Sequence, residues 1–231
     1  MIRAVLWDVD GTLLDFLAAE RAAIRRCFEV FRLGECTDAM LEDYSAINVR
    51  WWERLERGEY TKPEILVGRF REFFAKYGLD LSAAEPFNEE YQVRLGDTIV
   101  FFPGALETLH ALKGRVLQCA VTNGTKTAQR RKLSLSGMDK IFDRVFISDD
   151  LGVEKPGAAF FEKVFAGIGP IPPREVLIVG DSLTSDIRGG LNAGIRTCWY
   201  NPWDRENADR LPIDYMIASL SEVPALIDAE K

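Results

Sequence analysis

The sequence predicts an α/β protein: a doubly wound, mostly parallel sheet with an all-helical domain inserted after its first strand. Three observations carry this. Short apolar runs rich in Val and Ile recur along the 231 residues, and most are soon followed by Gly, Asp or Asn. The later runs alternate with helical stretches, the punctuation of repeated strand–helix–strand units. The stretch between the first run and the others instead repeats its apolar residues at helical spacing.

Taken in order, Ala4–Trp7 is an unbroken apolar run of the kind expected of a strand covered on both faces. In 16–96, Ile24, Cys27, Phe28 and Phe31 mark one helix, and Met40, Tyr44, Ile47, Trp51 and Leu55 mark a second. Leu66, Phe70, Phe73 and Tyr77 mark a third, closed by Gly78. Ser82-Ala83-Ala84-Glu85 reads as a capping box opening a fourth helix, with Pro86 in its first turn. Strands are expected at 116–121, 145–147, 176–179 and 195–200, with helices at 127–135, Ala158–Ile168 and 183–193 between them. The core is thus 1–15 and 97–231, and 16–96 is the helical insert. Insertions of this length at a strand end usually serve function.

Composition narrows the chemistry. A formal charge of −7 speaks against a surface for nucleic-acid polymers or anionic membranes. No run of 18 apolar residues occurs, and the apolar start is cut short by Asp8, so a soluble cytoplasmic protein is expected. Cys27, Cys36, Cys119 and Cys198 show no metal-site spacing and suit a reducing compartment. A single histidine, His110, is expected at the surface without a role, which leaves catalysis to carboxylates, Lys and Ser/Thr.

Open α/β sheets bind ligands outside the carboxyl ends of their strands. There the sequence sets Asp8-Val9-Asp10-Gly11-Thr12, Thr122-Asn123-Gly124, Lys155-Pro156 and Gly180-Asp181-Ser182 with Asp186. Asp8, Asp10, Asp181 and Asp186 are too many acids to bury together without a cation, and oxygen ligands beside a phosphate suit Mg²⁺. Thr122, a helix N-terminus and Lys155 form the anion-binding side. Metal plus phosphate cradle, with no nucleotide-binding Gly-rich loop, implies phosphoryl transfer through a carboxylate nucleophile.

These four motifs, in this order, resemble those of the haloacid dehalogenase superfamily, and the helical insert sits where that superfamily carries its C1 cap in subfamily IA. The resemblance implies Asp8 as nucleophile and Mg²⁺ ligand, and Asp10 as general acid/base and backbone-carbonyl ligand. It implies Thr122 and Asn123 at the phosphate, Lys155 as neutralising charge, Asp181 as Mg²⁺ ligand and Asp186 as a ligand or its support. The stretches 145–156, 185–194, Cys198-Trp199 and 46–53 are similar to those of YjjG-type pyrimidine 5′-nucleotidases, which implies hydrolysis of nucleoside monophosphates. Asn48, Arg50, Arg69 and Trp52 are candidate substrate contacts; Trp51 and Trp52, one residue apart, cannot both face the cap core. A sugar-phosphate phosphatase, a phosphomutase and a non-catalytic binding module of the same superfamily remain open. A phosphonatase would need an acidified cap lysine, for which Lys62 and Lys76 show no context. Oligomeric state is not legible.

Overall fold

The structure is a computed structural model and describes residues 1–230. Strands β1 (Ala4–Trp7), β2 (Leu117–Thr122), β3 (Arg144–Ile147), β4 (Val176–Gly180), β5 (Arg196–Tyr200) and β6 (Tyr215–Ile217) form one parallel sheet in the order β3-β2-β1-β4-β5-β6. β1 lies between β2 and β4, with Ala4 opposite both Leu117 and Val176. The direction of strand succession reverses at β1, so the crevice outside its carboxyl end is where a ligand is expected.

Alternation along β1 builds two cores from one four-residue strand. Val5 and Trp7 pack with Leu109 and Leu112 of α5 (Ala105–Leu112) and with Val223 and Ile227 of α10 (Val223–Ala229). Ala4 and Leu6 pack on the other face against Phe160, Phe161 and Val164 of α8 (Ala158–Ile168). The remaining crossovers carry α6 (Lys126–Ser136), α7 (Ser148–Leu151) and α9 (Arg188–Asn192).

Between β1 and β2, helices α1 (Phe16–Phe31), α2 (Asp38–Glu56), α3 (Lys62–Tyr77) and α4 (Ala84–Asp97) enclose a separate aromatic core of Phe28, Tyr44, Phe70, Phe73, Phe87 and Tyr91. Tyr44 stacks on Phe70 with centroids 5.0 Å apart, and Phe87 meets both Phe70 and Phe74 edge-on. α3 starts at a Thr61/Glu64 capping box and ends at Gly78, whose φ of 65° suits a residue without Cβ.

Three details differ from expectation. The capping box at Ser82–Glu85 does not form: Asp80 caps a short 3₁₀ turn at Leu81–Ala83 instead, accepting from the Ser82 N–H, and α4 begins only at Ala84. Asp at the earlier position takes the free donors first. The helix expected at 183–193 runs unbroken over 183–192, but its first residues, Leu183–Ile187, are wound as a π-turn that leads directly into α9. β6 has no counterpart in the sequence pattern, because a three-residue edge strand with Met216 exposed leaves no period to read. No described helix is long and apolar enough to cross a membrane.

Candidate active site

The ends of β1, β2 and β4 and the loop before α8 converge on one cleft, roofed by residues of α1, α2, α3 and α4. Asp8 continues β1, its N–H donating to Val179 O on β4 at 2.9 Å. Thr12 then joins two strand ends: its hydroxyl donates to Asp8 Oδ2 at 3.0 Å and accepts from the Asp181 N–H at 3.1 Å. Gly11 has φ +94°, and a Cβ there would stand 2.6 Å from Asp181 Oδ1, so the turn requires glycine. Gly180 is under the same constraint from Asp186, whose Cγ lies 2.3 Å from where a Cβ would be.

Lys155 lies at the centre of the charge cluster. Only 1% exposed, its Nζ donates to Asp8 Oδ1 at 2.9 Å, Asp186 Oδ1 at 2.6 Å and Val121 O at 2.8 Å, which uses all three donors. Burial alone would lower its pKa, but Asp186 and Asp8 outweigh burial and push it up, so it is held charged. The Asp8 carboxyl is raised well above the ordinary range by burial and by Asp186, with Lys155 pulling the other way. Asp181 is pushed up to about 6 by burial and Asp186, opposed by Arg205 and Lys155.

Carboxylate oxygens of Asp8, Asp181 and Asp186 lie within 4.8 Å of one another. Three acids so close, with burial and mutual repulsion already lifting two of their pKa values despite Lys155 and the pair between Asp181 and Arg205, fit a hard, oxygen-seeking cation. The Asp10 side chain turns away from this set: it accepts from Gln129 Nε2 at 2.6 Å and pairs with the buried Lys132.

Thr122 is buried at the end of β2, and its Oγ accepts from the Gly124 N–H at 3.1 Å. The Asn123 amide brackets the Lys155 main chain, donating to its carbonyl and accepting from its N–H, both at 2.8 Å. Asn123 thereby fixes the segment that carries Lys155. Thr125 caps α6, leaving that helix N-terminus beside the cleft.

The helical insert supplies the roof. Trp52 and Phe16 face the cleft. Trp51 faces away, against Tyr60 at 5.1 Å, with its indole N–H donating to Glu72 at 2.8 Å. Asn48 borders the outer mouth of the cleft, but its amide is taken up by Glu20 and Arg69. Arg50 does not reach the cleft: it is exposed and bonds Glu72 at 2.6 Å. Asn48 and Trp52, four apart, share a helix face, which sends Arg50 to the opposite one. Lys62 does have an acidifying context that its sequence surroundings did not show, since it is buried and burial lowers its pKa; yet it donates to Ser148 at 2.6 Å outside the cleft. His110 is exposed.

Sequence reasoning missed four groups here. Gln129 and Lys132 reach Asp10 from α6. Arg205 donates to the Asp181 carbonyl at 2.7 Å and lies over Trp199 and Trp203. Glu56, in the cleft wall, is pushed up to about 7 by burial, with Asp186 adding to the shift and a bond from Thr184 opposing it. The i,i+3 pair Gln129/Lys132 was the one available signal, two long polar side chains on one face of a helix leading out of the Thr122-Asn123-Gly124 loop.

Residues 2–194 match the model of the haloacid dehalogenase-like hydrolase family. The chain belongs to that family. The pyrimidine 5′-nucleotidase PynA of Streptococcus pneumoniae is 34% identical over 97% of this hydrolase and 94% of its own length. The pyrimidine 5′-nucleotidase YjjG of Escherichia coli is 29% identical over 96% of both chains. The crystal structure of the HAD-hydrolase YfnB from Bacillus subtilis, bound to magnesium and showing interdomain movement, superposes with a TM-score of 0.92 at 34% identity, covering 98% of this hydrolase and 99% of YfnB.

Proposed function

We propose that this hydrolase is a Mg²⁺-dependent phosphomonoesterase working through an aspartyl-phosphate, and that its substrates are pyrimidine nucleoside 5′-monophosphates. The observation that carries the reading is Lys155, buried and bonded at once to Asp8 and Asp186 beneath a cleft roofed by Trp52 and Phe16. Asp8 attacks phosphorus while the Lys155 charge offsets repulsion between the carboxylate and the phosphoryl oxygens. Asp10 gives its proton to the leaving oxygen and then, as the carboxylate, takes one from the water that hydrolyses the acyl phosphate. Thr122 and the N-terminus of α6 receive the phosphoryl oxygens, and Asn123 keeps Lys155 in register.

Asp8, the Asp10 main-chain carbonyl, Asp181 and Asp186 would hold Mg²⁺, which supplies charge neutralisation when bound. The helical insert acts as the cap, with boundaries at 16–96 and the core formed by 1–15 and 97–231. Trp52 and Phe16 offer flat apolar faces to a base. Relatives named as pyrimidine 5′-nucleotidases support the substrate class. Four free cysteines, three of them buried, suit a reducing cytoplasm.

Phosphate release from UMP and CMP, measured with Mg²⁺ and again after chelation, tests the reading. Release with Mg²⁺ and none after chelation is expected, together with loss of turnover in Asp8→Asn. Turnover retained by Asp8→Asn overturns the mechanism, and release from other phosphomonoesters but not from nucleotides overturns the substrate class.

A further inference from the structure

A single chain of hydrogen bonds runs from the interior of the helical insert to the start of α6. Ser45 and Asn48 donate to Glu20, and Arg69 donates to the Asn48 carbonyl at 2.7 Å and to Asn88 at 3.2 Å. Gln92 donates to the same Asn88 oxygen at 3.0 Å, and Thr125 donates to the Gln92 carbonyl at 2.7 Å. α1, α2, α3 and α4 each contribute, and the chain ends at the cap residue of α6.

Three members of this chain, Arg69, Gln92 and Thr125, also line the cleft that holds Asp8. Arg69 is 1% exposed, and its guanidinium is fixed over Phe70 at 5.0 Å and Tyr91 at 5.1 Å. Of its five N–H groups three find acceptors, in Leu66, Asn48 and Asn88, which leaves two without one among the described residues. The Gln92 amide likewise has one N–H to spare once Asn88 and Thr125 are served. Donors with hydrogen-bonding capacity to spare on a cleft wall favour a ligand that brings oxygen to it. A carboxylate already stands one amide away, Glu20 beyond Asn48, so an uncharged acceptor suits the wall better than a second anion.

We infer that Arg69 and Gln92 determine specificity by donating to an uncharged carbonyl of the leaving group, the C2 oxygen that uracil and cytosine share. This rests on the nucleotide reading above and adds the residues that enforce it. The guanidinium is held by its two rings and three bonds before substrate arrives, so little ordering cost falls on binding. A sugar phosphate without a base leaves all three N–H groups unmet, and discrimination arises from that loss.

The test compares kcat/KM for UMP and for ribose 5-phosphate in wild type, Arg69→Met and Gln92→Leu. The wild type is expected to prefer UMP, and Arg69→Met to cut the UMP-to-ribose-phosphate ratio about ten- to hundred-fold, mainly through KM for UMP. Gln92→Leu, which leaves the Asn48 and Asn88 bonds of Arg69 in place, is expected to cut it by a smaller factor. If Arg69→Met does not fold, Gln92→Leu decides alone. Both substrates losing rate by the same factor means the residues only hold the cap together, and the assignment is overturned while the nucleotide reading stands. A wild type without preference for UMP overturns the nucleotide reading first.

Discussion

Lys132, 1% exposed on α6, forms an ion pair with Asp10, and Gln129 one turn earlier donates to the other oxygen of the same carboxylate. The proposed acid/base group is thus held by a helix whose N-terminus also lies beside the cleft. Lys132→Met is expected to lower unfolding free energy by about 1–3 kcal/mol, since it leaves a partly buried carboxylate with one partner. It is also expected to lower kcat for UMP at least about tenfold with KM within about threefold, because a misaligned acid fails in the transition state rather than in binding. Urea unfolding and steady-state kinetics check this. An unchanged kcat in a variant of lowered stability would show that Lys132 only supports the fold.

Asp8, Asp181 and Asp186 repel one another at less than 4.8 Å with Lys155 shared between two of them. A divalent cation that relieves this repulsion binds the folded chain and not the unfolded one. At about a hundred times its Kd it stabilises by about 2.7 kcal/mol. For a chain of this size each kcal/mol raises Tm by about 2–4 °C. Thermal melts against MgCl₂ are expected to show that rise in the wild type and little of it in Asp181→Asn. An equal rise in both would place the cation elsewhere.

The strand-end motifs were legible because each breaks an apolar run: Asp8 after Trp7, Thr122 after Val121 and Asp181 after Gly180 change polarity where the sheet ends. Whatever depends on helix rotation was less legible. Lys132 and Gln129 look like ordinary solvated positions until α6 is docked, and both are then buried. Arg50 was legible in principle, since on one continuous helix it cannot share a face with both Asn48 and Trp52. Arg205 lies in a loop after β5, and no period places a loop residue near Asp181. The position of Asp186 is equally illegible from spacing: its side chain turns back to the Ser182 N–H at 3.1 Å and to Lys155.

Trp51 and Trp52 are adjacent and face opposite ways, which separates two roles in one experiment. Trp51 fills the surface above Gly68, where a Cβ would meet its ring at 2.6 Å, and it bonds Glu72. Trp51→Ala is expected to cost about 1–3 kcal/mol of stability with little change in KM. Trp52→Ala is expected to leave stability nearly unchanged and to raise KM for UMP by the about 1–3 kcal/mol that stacking on a base contributes. The opposite assignment of effects would move the base contact to the other face of α2.

Glu20 gives a pH signature of the insert itself, remote from the carboxylate cluster. It is 1% exposed, and burial raises its pKa above the ordinary 4.5, while Ser45, Arg69 and Asn48 pull it back only in part. Because the folded state holds this proton more tightly than the unfolded one, protons favour folding at this residue. That contribution is fully present below about pH 4.5 and is lost as pH rises through the raised folded value. Glu20→Gln removes the titration, so the stability of the variant relative to wild type is expected to rise with pH across that window and then level off. Chemical unfolding of both proteins from pH 4 to 8 measures the difference, which cancels every other titrating group they share. A difference that stays flat over the window would show that Ser45, Asn48 and Arg69 fully offset the burial of the carboxylate.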